Sequence, residues 1–462
     1  MKKLLLLFIL CMSQITNAIA EDNKVKLTIF DGVIFYDGYL FKNNPDSALQ
    51  DGVLRHSTSL YAVKLAPEQI AQIGEALNMN VKIEACCDNY DRIGNVNIAI
   101  VPKDSADHYI PDSVKRIEIG RFITPFMNKN KYPKVVPYSY NIDYVSNILR
   151  DETVLANNNI WIEFEVFGIP YAANEQISGC KGRNDVFKGT LEFETTSPAQ
   201  PLTDKNVLVP IVIKKPEYKG NNLNNYNELA TDTLGKTVKT YTYEVPQDVA
   251  DGMLVITTSN HGANAGGEEY NRRWHYVYCD GTLALTYKPG RTTCEPFRKY
   301  NTQANGIYGW SAMTDTEWQS FSNWCPGDVI DNRIIKLGEV KAGTHTVTIS
   351  VPTAKFKDKK GDIPVSIFFE GVTEGKIYSG IEELEITKAP LVNLTTANGM
   401  ITAHSQVQII GIELYNLQGV CLYQAYNQNT IPMQDKSTGV YLVNVELANG
   451  IIATHKIQYN QQ

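Results

Sequence analysis

Beyond its first twenty residues this 462-residue chain has no apolar run approaching the length of a bilayer span. About 20 consecutive apolar residues are needed for one helical crossing, so a membrane-spanning helix is excluded. Positive charge is also scarce: without Lys2 and Lys3, 41 basic residues face 50 acidic ones, a net of −9. Nucleic-acid binding needs a basic footprint, and no such partner is expected. The G-x-S-x-G nucleophile elbow, the G-x-x-x-x-G-K phosphate loop and the H-E-x-x-H zinc motif are all missing. There is no short-period repeat and no low-complexity tract. Helical periodicity is rare, with APEQIAQIGEALN at 66–78 the one stretch whose apolar spacing predicts a helix.

The opening segment, MKKLLLLFILCMSQITNAIA, has a basic pair, a short apolar core and a small-residue end at Ala18–Ala20, the pattern of a cleaved secretory signal over residues 1–20. Cys11 as the head of a lipoprotein site is the alternative, but Phe8, Ile9 and Leu10 are bulkier than that position favours. Export places Cys86, Cys87, Cys180, Cys279, Cys294, Cys325 and Cys421 in an oxidising compartment, where an odd number leaves at least one without an intrachain partner.

Short runs rich in Val, Ile, Thr, Tyr and Phe recur from Lys24 onward: VKLTIFDGVIFY, NVNIAIV, IEIGRFIT, IWIEFEVFG, NVLVPIVIKK, KTYTYEV, MLVITTS, HTVTISV and VSIFFEG. Gly, Asn, Asp and Pro separate them, which predicts an all-β chain of antiparallel sandwiches. The polar, proline-bearing TTSPAQPLTDKN (195–206) and the loosened VTEGKIYSG after Gly371 divide the chain. The expected units are an N-terminal β-sandwich over 21–203, a second over 204–380 and a small β-module over 393–462.

Three stretches concentrate chemistry. CCDNYDRIGNV (86–96) sets two cysteines, two aspartates and an arginine at the mouth of an apolar strand. Unpaired burial of a carboxylate is costly, so this is either a solvated turn or a site. Asp91 and Arg92 form a local ion pair capping a turn, or Arg92 holds Asp91 ionised for work on water or a hydroxyl. In IWIEFEVFG, alternation puts Trp161, Glu163, Glu165 and Phe167 on one face, a polar floor with aromatic walls or else a solvated outer face. NHGANAGGEEYNRRWHYVYCDG gathers His261, Glu268, Glu269, Tyr270, Arg272, Arg273, Trp274 and His275 around a glycine-rich loop. His261, Glu268 and His275 are ligand types, but their spacing fits no common zinc pattern, and no metal is expected.

Taken in order, CDNYDRIGNVNIAI, EIGRFITPF, IWIEFEVFG, the stretch from His261 to His275, and NWCPG (323–327) resemble the bacterial peptide:N-glycosidase F family, secreted amidases that release N-linked glycans from asparagine. The resemblance runs from about Lys24 to about Gly371. It implies two jelly-roll-like β-sandwich domains side by side, a glycan cleft at their interface, no cofactor, a monomer, and N-glycosylated proteins or peptides as substrates. Its essential aspartate falls on Asp91, and its glutamates at carbohydrate and water on Glu165 and Glu269. Substrate-binding positions fall on Arg92, His261, Tyr90, Tyr270, Trp324 and Phe167. Glu268 and Glu163 remain alternatives to their neighbours.

Several residues depart from that family. Tyr90 and Tyr270 stand where tryptophans are typical, keeping an aromatic face of smaller area. Phe321 occupies the place of an arginine, with Arg333 a possible substitute. Cys86 and Cys87 are adjacent where the family bridges cysteines several residues apart, so Cys87 is expected to reach a distant partner such as Cys180. The family pattern implies a Cys294–Cys325 bridge, and Cys279 reads as a small buried apolar residue.

The tail is similar to type IX secretion sorting domains, through Leu414-Tyr415-Asn416-Leu417-Gln418-Gly419, Ser437-Thr438-Gly439-Val440-Tyr441 and the basic strand with Lys456. That likeness implies export through the type IX machinery to the cell surface or the medium. An accessory β-domain would carry the same strand pattern. Two other activities use similar residues: a non-catalytic carbohydrate-binding or adhesive protein, and a glycosidase with paired carboxylates.

Overall fold

Side chains alternate between buried and half-buried along Leu77–Ala85, and the same period of two organises most of the chain into antiparallel sheets. The computed structural model describes residues 24–40, 49–105, 108–195, 201–202, 205–214, 222–223, 237–262, 268–291, 293–303, 323–354, 361–377, 392–397, 399–405, 407–416, 420–447 and 452–460. The expected signal segment 1–20, Phe321, the glycines at 266 and 267 and residues 417–419 of the tail lie outside the described residues.

The first sandwich stacks a four-stranded sheet, in the order Val25–Tyr36, Asp185–Thr195, Leu77–Ala85, Val135–Asn141, on a six-stranded one. The latter runs Val329–Ile330, Lys115–Ile123, Ile93–Pro102, Asn158–Val166, Leu60–Lys64, Val53–Arg55. Phe30, Met79, Val81, Leu191 and Phe193 from one sheet meet Val96, Ile98, Phe122, Ile162 and Phe164 from the other. Each such side chain contributes about 1.5–3 kcal/mol when fully buried. Val329–Ile330 belongs in sequence to the second half of the chain, yet it pairs with Arg121 and Phe122 and completes the edge of the first sandwich.

The second sandwich pairs Asn206–Val212, Ile363–Val372, Val249–Thr258 and Arg333–Val340 in one sheet. Its other sheet contains Val238–Val245, Gly343–Ser350, His275–Cys279 and Thr282–Tyr287. Met253, Val255 and Phe368 reach into the core of the first sandwich, so the domains share continuous apolar packing. The C-terminal residues form a three-stranded and a four-stranded sheet around Ile412, Leu414, Val443 and Val445. This module meets the second sandwich through Trp274, Tyr276 and Tyr415 and through a Lys288–Glu413 ion pair of 3.2 Å.

The helix expected over 66–78 is corrected to a single turn, Pro67–Ile70. The amide of Gly74 donates to the Thr195 hydroxyl and that of Leu77 to Asp143, after which Leu77 enters a strand. Ladder pairing on both sides outweighs helical spacing that has only one turn to act on. Three further short helices, Val145–Arg150, Glu152–Asn157 and Tyr171–Gln176, were not expected.

Candidate active site

A β-bulge builds the floor of the site. Asn97 pairs with Glu118 and Val96 with Gly120, so Ile119 is the extra residue opposite that step. In a regular strand, residues 118 and 121 would face opposite sides; the bulge turns both to the side away from the apolar core. Gly120 permits the close approach, since a Cβ there would lie 2.5 Å from Met79 Cε. Two polar rows result, Arg121–Asn95–Glu165 and Glu118–Asn97–Glu163, each crossing three strands.

The second sandwich covers Arg121, Glu118 and Glu165 of these rows, whereas Glu163 meets side chains of the first. Arg121, fully buried, holds Glu118 through two bonds of 2.7 Å and donates to the Ser259 hydroxyl and the Pro364 carbonyl at 2.9 Å. Burial raises the Glu118 carboxyl, but Arg121 more than offsets this and holds it below its ordinary range. Glu163 accepts from Asn97, Tyr109 and Arg116, with Arg116 Nε at 2.8 Å, so its oxygens serve a structural ion pair. Glu165 accepts instead from Lys214 Nζ at 3.0 Å. Among the described residues Glu165 is therefore the member of the pair whose partner comes from the second sandwich. The His261 ring bonds the Ser259 hydroxyl at 2.8 Å and packs near Trp324. Burial, with Arg121 and Lys214 nearby, pushes its pKa down to about 3, so the imidazole is neutral at ordinary pH.

At the mouth of the neighbouring strand, Arg92 bonds Asp88, a partner outside the two readings of the Asp91–Arg92 pair. Arg92 Nε lies 2.7 Å from Asp88 Oδ2, and Asp88, fully buried, also accepts from the amides of Tyr90 and Ile169. Asp88 is thus the anchor that sequence reasoning left without a role. Asp91 retains partial exposure, and burial together with the Glu269 carboxylate raises its pKa well above the ordinary range, against the pull of Arg92. Arg92 acts on Asp91 as a nearby charge; it does not dominate its titration.

Glu268 and Glu269 separate cleanly. Glu268 is buried against Arg273, with Nε at 2.9 Å from its oxygen, whereas Glu269 accepts from the Gly262 amide at 3.0 Å and from the Tyr270 hydroxyl. Asn323 braces the loop by donating to the carbonyls of Glu268 and Glu269, both at 2.7 Å. Burial raises Glu269 despite these donors, and Tyr270 is raised by burial, Glu269 and Asp91. Asp91 from the first sandwich and Glu269 and Tyr270 from the second therefore share one electrostatic site. Burial raises both carboxyls, and the Glu269 charge adds to the rise at Asp91, so the two favour different protonation states, the condition for one to act as base and the other as acid.

Residues 26–181 match the family described as peptide-N-glycosidase F, N terminal, and residues 225–369 the one described as peptide-N-glycosidase F, C terminal. The chain belongs to the peptide-N-glycosidase F family. Among solved structures, PNGF-II is similar with a TM-score of 0.55 and 19% identity over 78% of this chain and 67% of that one. Recombinant peptide:N-glycanase F gives 0.51 and 17% over 77% and 97%. PNGase F, a glycosylasparaginase from Flavobacterium meningosepticum, gives 0.50 and 18% over 77% and 98%. No curated protein is a significant sequence match. At these identities the structures share the fold of two β-sandwich domains.

The remaining positions named from the peptide-N-glycosidase F resemblance divide between rim and support. Tyr90 is 38% exposed and packs near Phe126, while half-buried Phe167 meets Tyr39 edge to face at 5.6 Å. Trp324, expected among the substrate-binding positions, is 4% exposed, clusters with Ile123 and Ile330, and donates its indole N–H to the Asn260 carbonyl. Arg333 stacks over Tyr287 at 3.9 Å, and among the described residues the second-sandwich cation bonded to a carboxylate of the polar floor is Lys214. Both expected disulfides form, Cys87–Cys180 and Cys294–Cys325. Cys279 is half-buried with a thiol that burial pushes up to about 11. The sequence did hold a signal for the missed Glu118 and Arg121: a glycine inside a strand pattern marks a bulge.

Proposed function

We propose that this protein is a peptide:N-glycosidase, an exported amidase that hydrolyses the bond between the innermost N-acetylglucosamine of an N-glycan and the asparagine side chain. The observation that carries the reading is the meeting of Asp91 from the first sandwich with Glu269 from the second, where the Glu269 carboxylate helps burial to raise Asp91 well above its ordinary range. An amide carbonyl is a weak electrophile, so water must be activated and the developing oxyanion stabilised.

In this mechanism the ionised carboxylate of the pair takes a proton as water adds to the amide carbon. The carbon–nitrogen bond then breaks, and the proton passes to the departing nitrogen, giving aspartate in the peptide and a glycosylamine. Asp91 orients the water and meets the reducing-end sugar, Glu269 holds the water from the opposite domain, and Glu165 binds the core chitobiose. Arg92, fixed by Asp88, supplies positive charge beside Asp91. Tyr90, Phe167 and Tyr270 line the approach, with His261 a neutral hydrogen-bonding group behind it. No metal or cofactor takes part. The signal-like start and the sorting-like tail support delivery through the type IX route, with the product secreted or held at the surface as a monomer.

The test is mass spectrometry of a defined N-glycopeptide incubated with the mature protein and with Asp91→Asn. Conversion of the glycosylated asparagine to aspartate by the native protein alone is expected. Glycopeptide bound but left intact replaces the amidase with a carbohydrate-binding protein, and a bond broken between sugars replaces it with a glycosidase.

A further inference from the structure

Lys214 follows the strand Asn206–Val212 of the second sandwich and is buried to 8% exposure. Its backbone amide donates to the Ser366 hydroxyl at 2.9 Å, and that hydroxyl in turn donates to Glu118. The start of the side chain is thereby fixed to the Arg121–Glu118 pair that docks the two domains. Its ammonium then reaches across to Glu165, 3.0 Å from Oε2, on a strand of the first sandwich. Among the described residues no hydrogen bond is made to the other oxygen, Oε1.

A buried lysine is an expensive partner, because its charge is strongly hydrated outside the protein. The same sheet shows a different solution two residues away, where Glu163 Oε2 accepts from Asn97 and two nitrogens of Arg116 and Oε1 accepts from Tyr109. Donors on both oxygens occupy a carboxylate; a single ammonium on Oε2 orients it and leaves an oxygen as acceptor. The contrast separates a structural acid from one kept ready to receive a hydroxyl.

We propose that Lys214 is a positioning residue for the reaction, holding Glu165 as an oriented acceptor for a sugar hydroxyl only when the two domains are docked. This rests on the amidase reading above. Arg121, Asp362 and His261 share its surroundings, and none of them replaces the bond to Glu165.

The full mature chain would be assayed as native protein, Lys214→Met, Lys214→Gln, Lys214→Arg, Glu165→Gln and the Lys214→Met/Glu165→Gln double variant. Thermal melting identifies which of them fold. A hydrogen bond to a charged group typically corresponds to about tenfold or more in affinity. Lys214→Met and Lys214→Gln are expected to raise KM about tenfold with kcat within about threefold, and Lys214→Arg to recover most of the loss. In the Glu165→Gln background Lys214→Met should add no further loss, an outcome that a general packing defect would not produce. Native KM in a folded Lys214→Met or Lys214→Gln protein, or losses that multiply in the double variant, overturns the proposal. Should the native protein bind chitobiose without cleaving glycopeptide, the amidase reading fails and the same cycle is read in Kd. Neither cleavage nor chitobiose binding by the native protein removes both.

Discussion

The guanidinium of Arg92 is held by Asp88, four residues earlier, with Nε 2.7 Å from Oδ2. Asp91, its immediate neighbour, is titrated upward by burial and by Glu269 from the other domain. Two aspartates three positions apart thus have opposite physical status: one satisfied by several donors, the other under electrostatic strain.

Substitution should separate them by sign. Asp88→Ala leaves Arg92 and the amides of Tyr90 and Ile169 without their acceptor, and is expected to destabilise the fold by about 3–5 kcal/mol. Equal thermal midpoints for this variant and the native protein would contradict that assignment.

Asp91→Asn should be more stable than the native protein at neutral pH while losing about 10²–10⁴-fold in glycopeptide turnover. A carboxyl whose folded pKa is raised contributes its stability at low pH and loses it as pH rises through that value. The two proteins should therefore melt together near pH 4 and diverge toward pH 8, which calorimetry at both pH values would register.

Glu370 offers a second titration on the strand Ile363–Val372 of the second sandwich. It is fully buried, and burial raises its pKa to about 8, with Asn147 opposing. Stability from this group is complete below its ordinary value of 4.5 and falls as pH climbs to about 8, on the order of 1.4 kcal/mol per pH unit. Glu370→Gln should remove that slope, leaving the variant the more stable of the two at pH 9 in urea unfolding.

Arg121→Met should act at the domain junction. It strands the buried Glu118 and removes donors to Ser259 and Pro364, with an expected loss of about 3–5 kcal/mol. Uncoupling of the two sandwiches would appear as a split of one unfolding transition into two; an unchanged single transition at the native midpoint argues against a docking role.

The Cys87–Cys180 bridge closes a separation of 93 residues and ties the Asp88–Asp91 turn to the segment that follows the helix Tyr171–Gln176. Loop-closure entropy assigns such a bridge about 4–5 kcal/mol. Cys87→Ser should lower stability by more than Cys294→Ser, whose bridge spans 31 residues, and denaturant titration of both variants compares them directly.

Much of this was legible from residue patterns. Strands such as NVNIAIV and VSIFFEG announced themselves because their alternation and β-branched content coincide with burial on both faces. The segment 66–78 misled because helical spacing and strand alternation agree over a single turn, and only the partners Asp143 and Thr195 decide between them. At the site, Glu163 and Glu165 are indistinguishable by periodicity, as are Glu268 and Glu269 by composition. What distinguishes them is the cation each meets, Arg116 or Lys214 for the first pair, and whether Arg273 is the partner for the second. Arg116 lies 47 residues from Glu163 and Lys214 lies 49 from Glu165, distances at which local pattern carries no information.

The two-residue strand Val329–Ile330 has a consequence for the order in which the molecule is made. It supplies the outer edge of the first sandwich from a position more than two hundred residues downstream of its partners Arg121 and Phe122. A nascent chain that has emerged only as far as the first sandwich carries an open sheet edge and an uncovered row of buried-type charges, and cannot close either. The first half of the protein waits for the second, which keeps the chain from committing to its final shape until most of it has been delivered.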